Sequence, residues 1–299
     1  MNKDYQKLFF YQYKIVLKVR TDSFELPTSS FAFFHGLFGQ ILYNANGHVG
    51  TKHIRCNKEN CSYCQLFKPV LPPKHFWKGK YTNPPIAYVL SPPINGKTKY
   101  VRAEKIEFQL ALIGSANKHL PNIIMAFSQM HKYAGQSAIS NFLLESFESV
   151  LPGKQDVAMD NRFSLENISE VPDFNLVKLR THTPLHLQSG KSLIENNIIE
   201  KLLQQAHVKY NLLTQFYCAV PFSGIDDISV PDIDYHASTR RFEVWKNKRH
   251  GKKIKVDAIV GEFTGLSENI LPYTELLALI RHLGIGKYSS YGLGKLTWE

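Results

Sequence analysis

Acidic residues are in short supply. Asp and Glu number 25 against 36 Lys and Arg, so this 299-residue chain carries a net charge of +11. Such an imbalance speaks about partners rather than fold: it attracts polyanions, nucleic acid first and an anionic membrane surface second. Long apolar runs are missing too, and none reaches the length of a membrane-spanning helix. The stretch after Met1-Asn2-Lys3-Asp4-Tyr5-Gln6-Lys7 is short and broken by Gln12 and Lys14, so no signal-peptide core is expected. Cysteine occurs only four times, with three copies close together. That excludes the disulfide framework of a small secreted domain. What is present is 43% hydrophobic and 12% aromatic residues, the composition of an ordered globular chain. The expectation is a soluble cytoplasmic protein with no membrane partner.

One pattern runs through the chain twice. Tyr13 to Val19 alternates apolar and polar residues, as a half-buried strand does. Pro27-Thr28-Ser29-Ser30 supplies a helix start with hydroxyls available as caps. Phe31 to Tyr43 predicts a buried helix, followed by a cysteine-bearing loop and a proline-rich stretch through Pro93. Lys105 to Leu112 alternates as a strand. Pro121 to His131 reads as a helix with proline near its start, and 138–149 supplies a closing strand. The second half repeats the order: a strand at Phe174–Thr181, a helix over Leu193–Phe216, strands at Tyr235–Trp245 and Lys253–Phe263, a helix at Pro272–His282 and a last strand at 293–298. This is the split βαβ order. The fold class is therefore α+β, two tandem ferredoxin-like (RRM-like) domains. Their spans are 1–150 and 174–299, with 151–173 as a polar linker carrying Pro152, Gly153 and Pro172.

Three segments carry candidate chemistry. The last sixteen residues hold Gly284, Gly286, Gly292 and Gly294 around Lys287-Tyr288-Ser289-Ser290-Tyr291, closed by Lys295. Glycines, hydroxyls and lysines together suit an anionic backbone; a tight turn between helix and strand is the plainer alternative. The densest basic stretch contains Arg240, Arg241, Lys246, Lys248, Arg249, Lys252 and Lys253. These residues can neutralise phosphates, while Phe242 or Trp245 can stack on an unpaired base. A solvated hairpin with inward aromatics is the competing reading. Finally, Cys56, Cys61 and Cys64, with His53 three residues before Cys56, can close a tetrahedral zinc site of structural type. Three reduced cysteines in a surface loop would look the same. Cys218, in an apolar run, reads as core.

The chain resembles the precursor CRISPR RNA processing endoribonucleases of the RAMP superfamily. Four stretches carry the resemblance. They are Phe34-His35-Gly36-Leu37-Phe38-Gly39 in the first helix; Cys61-Ser62-Tyr63-Cys64-Gln65-Leu66-Phe67 with Pro92-Pro93; Thr183-Pro184-Leu185-His186-Leu187; and Val260-Gly261-Glu262-Phe263-Thr264-Gly265 running on through the terminal glycine-rich loop. Where the family often has arginine before the glycine of the first helix, this chain has His35.

The resemblance implies cleavage of a CRISPR repeat RNA by attack of a 2′-hydroxyl on the neighbouring phosphate, without a catalytic metal. The products are a 2′,3′-cyclic phosphate and a 5′-hydroxyl. The family's catalytic histidine, where there is one, lies just past the first helix. The implied candidates are His48 first, in an exposed glycine-flanked turn, then His35 and His53. Lys52 is the candidate to stabilise phosphorane charge and Tyr43 to orient the phosphate. Partners would be repeat RNA or crRNA, and other CRISPR effector-complex subunits. A noncatalytic RAMP subunit that binds guide RNA within an effector complex is the alternative.

Overall fold

The computed structural model describes residues 7–27, 29–48, 56, 61–70, 84–133, 138–150, 162–168, 176–189, 192–194, 196–220, 228, 234–246 and 253–298. In the first half, the strand Phe9–Val19 lies between Lys105–Ile113 and Phe142–Val150, and Lys105–Ile113 also pairs with Tyr88–Ser91. All pairings are antiparallel, so the spatial order is second, third, first, fourth. In the second half, Leu176–Thr181 lies between Lys253–Leu266 and Leu296–Trp298, with Asp234–Lys246 on the outer edge of Lys253–Leu266. The order is again second, third, first, fourth. Each half thus builds an antiparallel sheet with the same strand order.

Period-two alternation explains how the first sheet serves two masters. Tyr13, Ile15, Leu17 and Val19 point into a core closed by Phe34, Phe38 and Ile41 of the helix Ser30–Ala45 and by Ile123 and Phe127 of the helix Leu120–Ser128. Phe10, on the opposite face, joins a second core with Leu202 and Leu203 of the helix Ile198–Tyr217 and Leu276, Leu279 and Ile280 of the helix Thr274–Leu283. That second core crosses from one half of the chain to the other, so the two sheets are fixed against each other by apolar burial.

Several expectations change in detail. Ser29 sits at the N-cap of the first helix, but its side chain makes no capping hydrogen bond. The second strand of the first sheet, Tyr88–Ser91, is short and buried throughout its first three residues, so it shows no alternation to read. Part of the expected linker is folded. Phe163 and Ser164 pair with Phe10 and Phe9, and the Phe163 ring stacks on Phe10 at 5.3 Å. An aromatic side chain with an apolar wall available does not stay in a solvated connection.

The terminal segment is packed against the protein rather than extended from it. Gly294 has φ of +77°, and a Cβ there would run into the carbonyl oxygen of Ile285. Ile285 and Gly294 are also joined by a backbone hydrogen bond of 2.9 Å. Gly294→Ala therefore combines a left-handed backbone with a steric clash, and a loss of about 3 kcal/mol is expected. Equilibrium urea denaturation measures it; an unchanged midpoint would mean that the segment is free to rearrange.

Candidate functional site

Two turns of the first helix separate two clusters. His35 sits near its start and Tyr43 near its end, about 12 Å along the axis at 1.5 Å per residue. Around His35 the chain brings together three distant segments. The hydroxyl of Tyr88, on the buried edge strand, is 2.8 Å from His35 Nε2. The Tyr291 ring, from the terminal segment, lies face to face with the imidazole at 3.8 Å and 4°. Phe67 closes the third side, edge-on at 5.4 Å. Among the described residues no partner reaches His35 Nδ1. Burial lowers the His35 pKa to about 4, so the imidazole is neutral at pH 7. The same burial raises the Tyr88 hydroxyl well above its ordinary range. Tyr88 therefore keeps its proton and pins the imidazole.

Beside this cluster, Lys287 is exposed, while Ser289, Ser290 and Tyr291 are partly exposed. Lys209 holds that segment from beneath. Its Nζ donates to the carbonyls of Leu283 and Gly284, each at 2.8 Å, and reaches Ser289 Oγ at 3.1 Å. Burial, with Lys295 nearby, lowers the Lys209 pKa to about 7. A lysine at this point of an amphipathic helix gives no sign in sequence of its target. Tyr88, Tyr291 and Lys209 were all passed over by sequence reasoning, because their roles rest on contacts between segments far apart in the sequence.

The glycines and Lys295 differ from expectation. Gly284, Gly292 and Gly294 are buried, and Gly286 would strike the His186 carbonyl if it carried a Cβ. Their small size lets the protein's own backbone close in. Lys295 is only 7% exposed and donates to Ser91 Oγ at 2.7 Å. Its backbone N–H donates to Thr183 Oγ at 2.9 Å. It lines a second cleft of about 550 Å³ between the sheets, together with His182 and Arg281. Burial lowers its pKa to about 8.

The other cluster surrounds His48. This histidine is not in an exposed turn: it is 5% exposed. Gly47, with φ of +73°, turns the chain so that the imidazole folds back under the helix end. His48 Nε2 lies 3.2 Å from Cys61 Sγ and 3.9 Å from Cys64 Sγ, and Cys56 Sγ lies 3.6 Å from Cys64 Sγ. All four donor atoms fall within 4.8 Å of one another. A tetrahedral centre with metal–sulfur bonds of about 2.3 Å has sulfur–sulfur edges of about 3.8 Å. The donor set fits such an ion. His48, rather than His53, is the imidazole placed there; His53 and Lys52 lie outside the described residues. Burial pushes the Cys61 thiol up to about 12. A bound cation would supply the charge that an isolated thiolate lacks in this pocket.

Tyr43 belongs to the wall of this cluster and not to the His35 site. Its ring stacks on His48 at 5.0 Å and meets Tyr63 edge-on at 5.1 Å. The short helix Ser62–Phe67 links the two clusters, since it carries Cys64 at one end and Phe67 against His35 at the other. Gly39 makes room for it: a Cβ there would come within 2.9 Å of the Phe67 ring.

A family model, AF_1859_N, described as an N-terminal domain, matches residues 8–171, more than half of the 299-residue chain. The chain belongs to this family. No curated protein matches it. Thermus thermophilus Cas6 (TTHB231) is similar over 98% of this chain and 99% of its own, at 15% identity and a TM-score of 0.51. A Cas6 (TTHB231) product complex covers 97% of this chain and 100% of its own at 13% identity, with a TM-score of 0.55. The Cas6-RT-Cas1–Cas2 complex matches 98% of this chain at 13% identity and a TM-score of 0.56, but only 29% of that longer chain is covered. The resemblance legible in the sequence thus holds at the level of fold: this family member carries the Cas6 fold over nearly its whole length. Among the described residues, no helix is long and apolar enough to cross a membrane.

The basic hairpin is only partly placed. Arg240 and Arg241 are exposed on the outer strand, and Arg241 pairs with Asp257 at 2.9 Å. The backbones of Lys246 and Lys253 continue the strand pair. Their side chains, with Lys248, Arg249 and Lys252, lie outside the described residues.

Proposed function

We propose that this protein is an endoribonuclease that cuts CRISPR repeat RNA by 2′-hydroxyl attack, with His35 as the group that moves the proton. The observation that carries the reading is the His35 cluster: a neutral imidazole pinned through Nε2, with Nδ1 left over, beside a segment offering Lys287, Ser289 and Ser290. In the tautomer whose Nε2–H donates to the Tyr88 oxygen, the Nδ1 lone pair takes the 2′-hydroxyl proton, O2′ bonds to phosphorus, and the bond to O5′ breaks in line. Water protonates the departing O5′. Lys287 supplies positive charge where the phosphorane crowds with negative charge, and the two serines hydrogen-bond the phosphate oxygens. The negative phosphate also raises the His35 pKa from its low value in the free protein, towards the range in which a base works well. Arg240 and the rest of the basic hairpin hold the RNA further out.

His48, Cys56, Cys61 and Cys64 form a structural zinc site in this reading. Three thiolates and one imidazole fill a tetrahedron and leave no position for substrate. Zinc there neutralises the buried thiolates and ties the end of the first helix to the segment Cys61–Phe67. The residues themselves, and not the ion, act on the RNA.

The test is single-turnover cleavage of the repeat RNA of the neighbouring CRISPR array, with and without added magnesium, beside the same RNA carrying one 2′-deoxy nucleotide at the cut. Cleavage that needs no added magnesium and stops with the deoxy substrate is expected. Tight binding with no cleavage of either RNA would instead favour a guide-binding RAMP subunit.

A further inference from the structure

A cleft of about 940 Å³ opens next to the His35 cluster, between the edge strand of the first sheet, the helix Ile198–Tyr217 and the terminal segment. Its walls include Ile86, Val208 and Leu212, and its mouth includes Tyr288. Tyr288 has φ of +70°, a backbone conformation that costs a non-glycine residue about 1 kcal/mol. That strained position sets its ring edge-on to Tyr291 at 5.7 Å, and Tyr291 in turn stacks on His35 at 3.8 Å. Two ring contacts therefore lead from Tyr288 to the imidazole, roughly the span of one splayed nucleotide.

Three glutamines line the cleft beside Lys201, Lys209, Lys287, Ser289 and Ser290. Gln204 is fully engaged: its amide nitrogen donates to Glu200 Oε1 and the Ile228 carbonyl, and its oxygen accepts from Lys201. Gln205 donates to the Gln188 carbonyl at 3.2 Å. Among the described residues, no hydrogen bond uses Gln205 Oε1 or the side-chain amide of Gln188. A glutamine amide offers one donor and one acceptor side by side, the pattern that matches the N6 and N7 edge of adenine. Single-stranded RNA is read in this way, by unstacking a base, laying it on an aromatic ring and bonding its edge.

We propose that the cleft is a specificity pocket for one unstacked adenine, the nucleotide adjoining the cut phosphate. Tyr288 stacks on the base, and Gln188 and Gln205 bond its edge. The proposal rests on the endoribonuclease reading, because it takes the cut phosphate to lie at His35. It adds what that reading lacks: a reason for the enzyme to choose one phosphate of the repeat over its neighbours. Holding the adjoining base away from the stack also turns the sugar, which helps to bring its 2′-hydroxyl into line.

The experiment replaces the base on either side of the cut, in turn, by adenine, guanine, cytosine, uracil or an abasic site, and measures single-turnover rates. Adenine at one of the two positions is expected to be cut about tenfold faster than guanine or the abasic site. In Gln188→Ala/Gln205→Ala that ratio should fall towards one. Tyr288→Gly tolerates the left-handed backbone and keeps the segment in place; it should slow the adenine substrate towards the abasic rate while the thermal midpoint holds. Equal rates for all bases at both positions would overturn the pocket while leaving the nuclease intact. If no RNA is cut, the nuclease reading fails, and the same RNAs measured by affinity still decide the pocket: equal dissociation constants would sink it.

Discussion

Single-turnover cleavage falls about a thousandfold in His35→Ala, the range for removing a group that transfers a proton in the transition state. Repeat-RNA affinity should change far less, because Lys287 and the basic hairpin hold the phosphates without it. The pH profile gives an independent check. Burial lowers the His35 pKa to about 4. Measured with subsaturating enzyme, where the profile reports the free protein, the rate should stay level as pH drops through 6.5 and fall only near 4. Under saturating enzyme the bound phosphate raises that pKa, so the falling limb moves to higher pH. A rate in His35→Ala within threefold of the parent protein would assign proton transfer elsewhere. So would a limb at 6.5 under subsaturating conditions, since an ordinary exposed histidine titrates there.

The plan of the fold was legible because alternation and helical period are local properties. Tyr13–Val19 advertises the inward face of its sheet, while its extension back to Phe9 and the second core at Phe10 gave no such sign. Tyr88–Ser91 was not legible, because a short strand buried on both faces shows no alternation. The site was harder to read for the same reason in reverse: its contacts are non-local. His48 follows a glycine turn, as its neighbours suggest, yet that turn aims inward, and only the position of Cys61 reveals where it leads. The spacing of His53 before Cys56 looked as good as any ligand spacing, since a loop of a few residues closes at small entropic cost either way. Lys295 was taken for a phosphate contact because it closes a segment of glycines, hydroxyls and a second lysine. Its backbone is instead tied to Thr183 and its amine to Ser91. His35 lies in an apolar stretch that gives no hint of Tyr88 or Tyr291, which arrive from another strand and from the end of the chain.

Zinc removal is expected to lower the thermal midpoint by about 10 °C, which corresponds to about 6 kcal/mol in a chain of this size. Purified protein should hold one zinc per chain, and both Cys61→Ser and Cys64→Ser should lose it. The argument is electrostatic and geometric together. Four donor atoms within 4.8 Å, two of them on buried cysteines, either share a cation or crowd three thiols and an imidazole against one another. A cation resolves this, and the Cys3His set selects zinc among common divalent ions. The effect should reach the RNA site, because the segment that carries Cys64 also places Phe67 against His35. Tyr63 and Phe67 stack at 5.2 Å, so the wall between the clusters moves as one piece. Zinc-free protein should therefore cleave more slowly while binding repeat RNA almost as well, and returned zinc should restore both midpoint and rate. Metal analysis finding no zinc in Cys61→Ser with an unshifted midpoint would leave the cluster as four buried side chains with no structural ion.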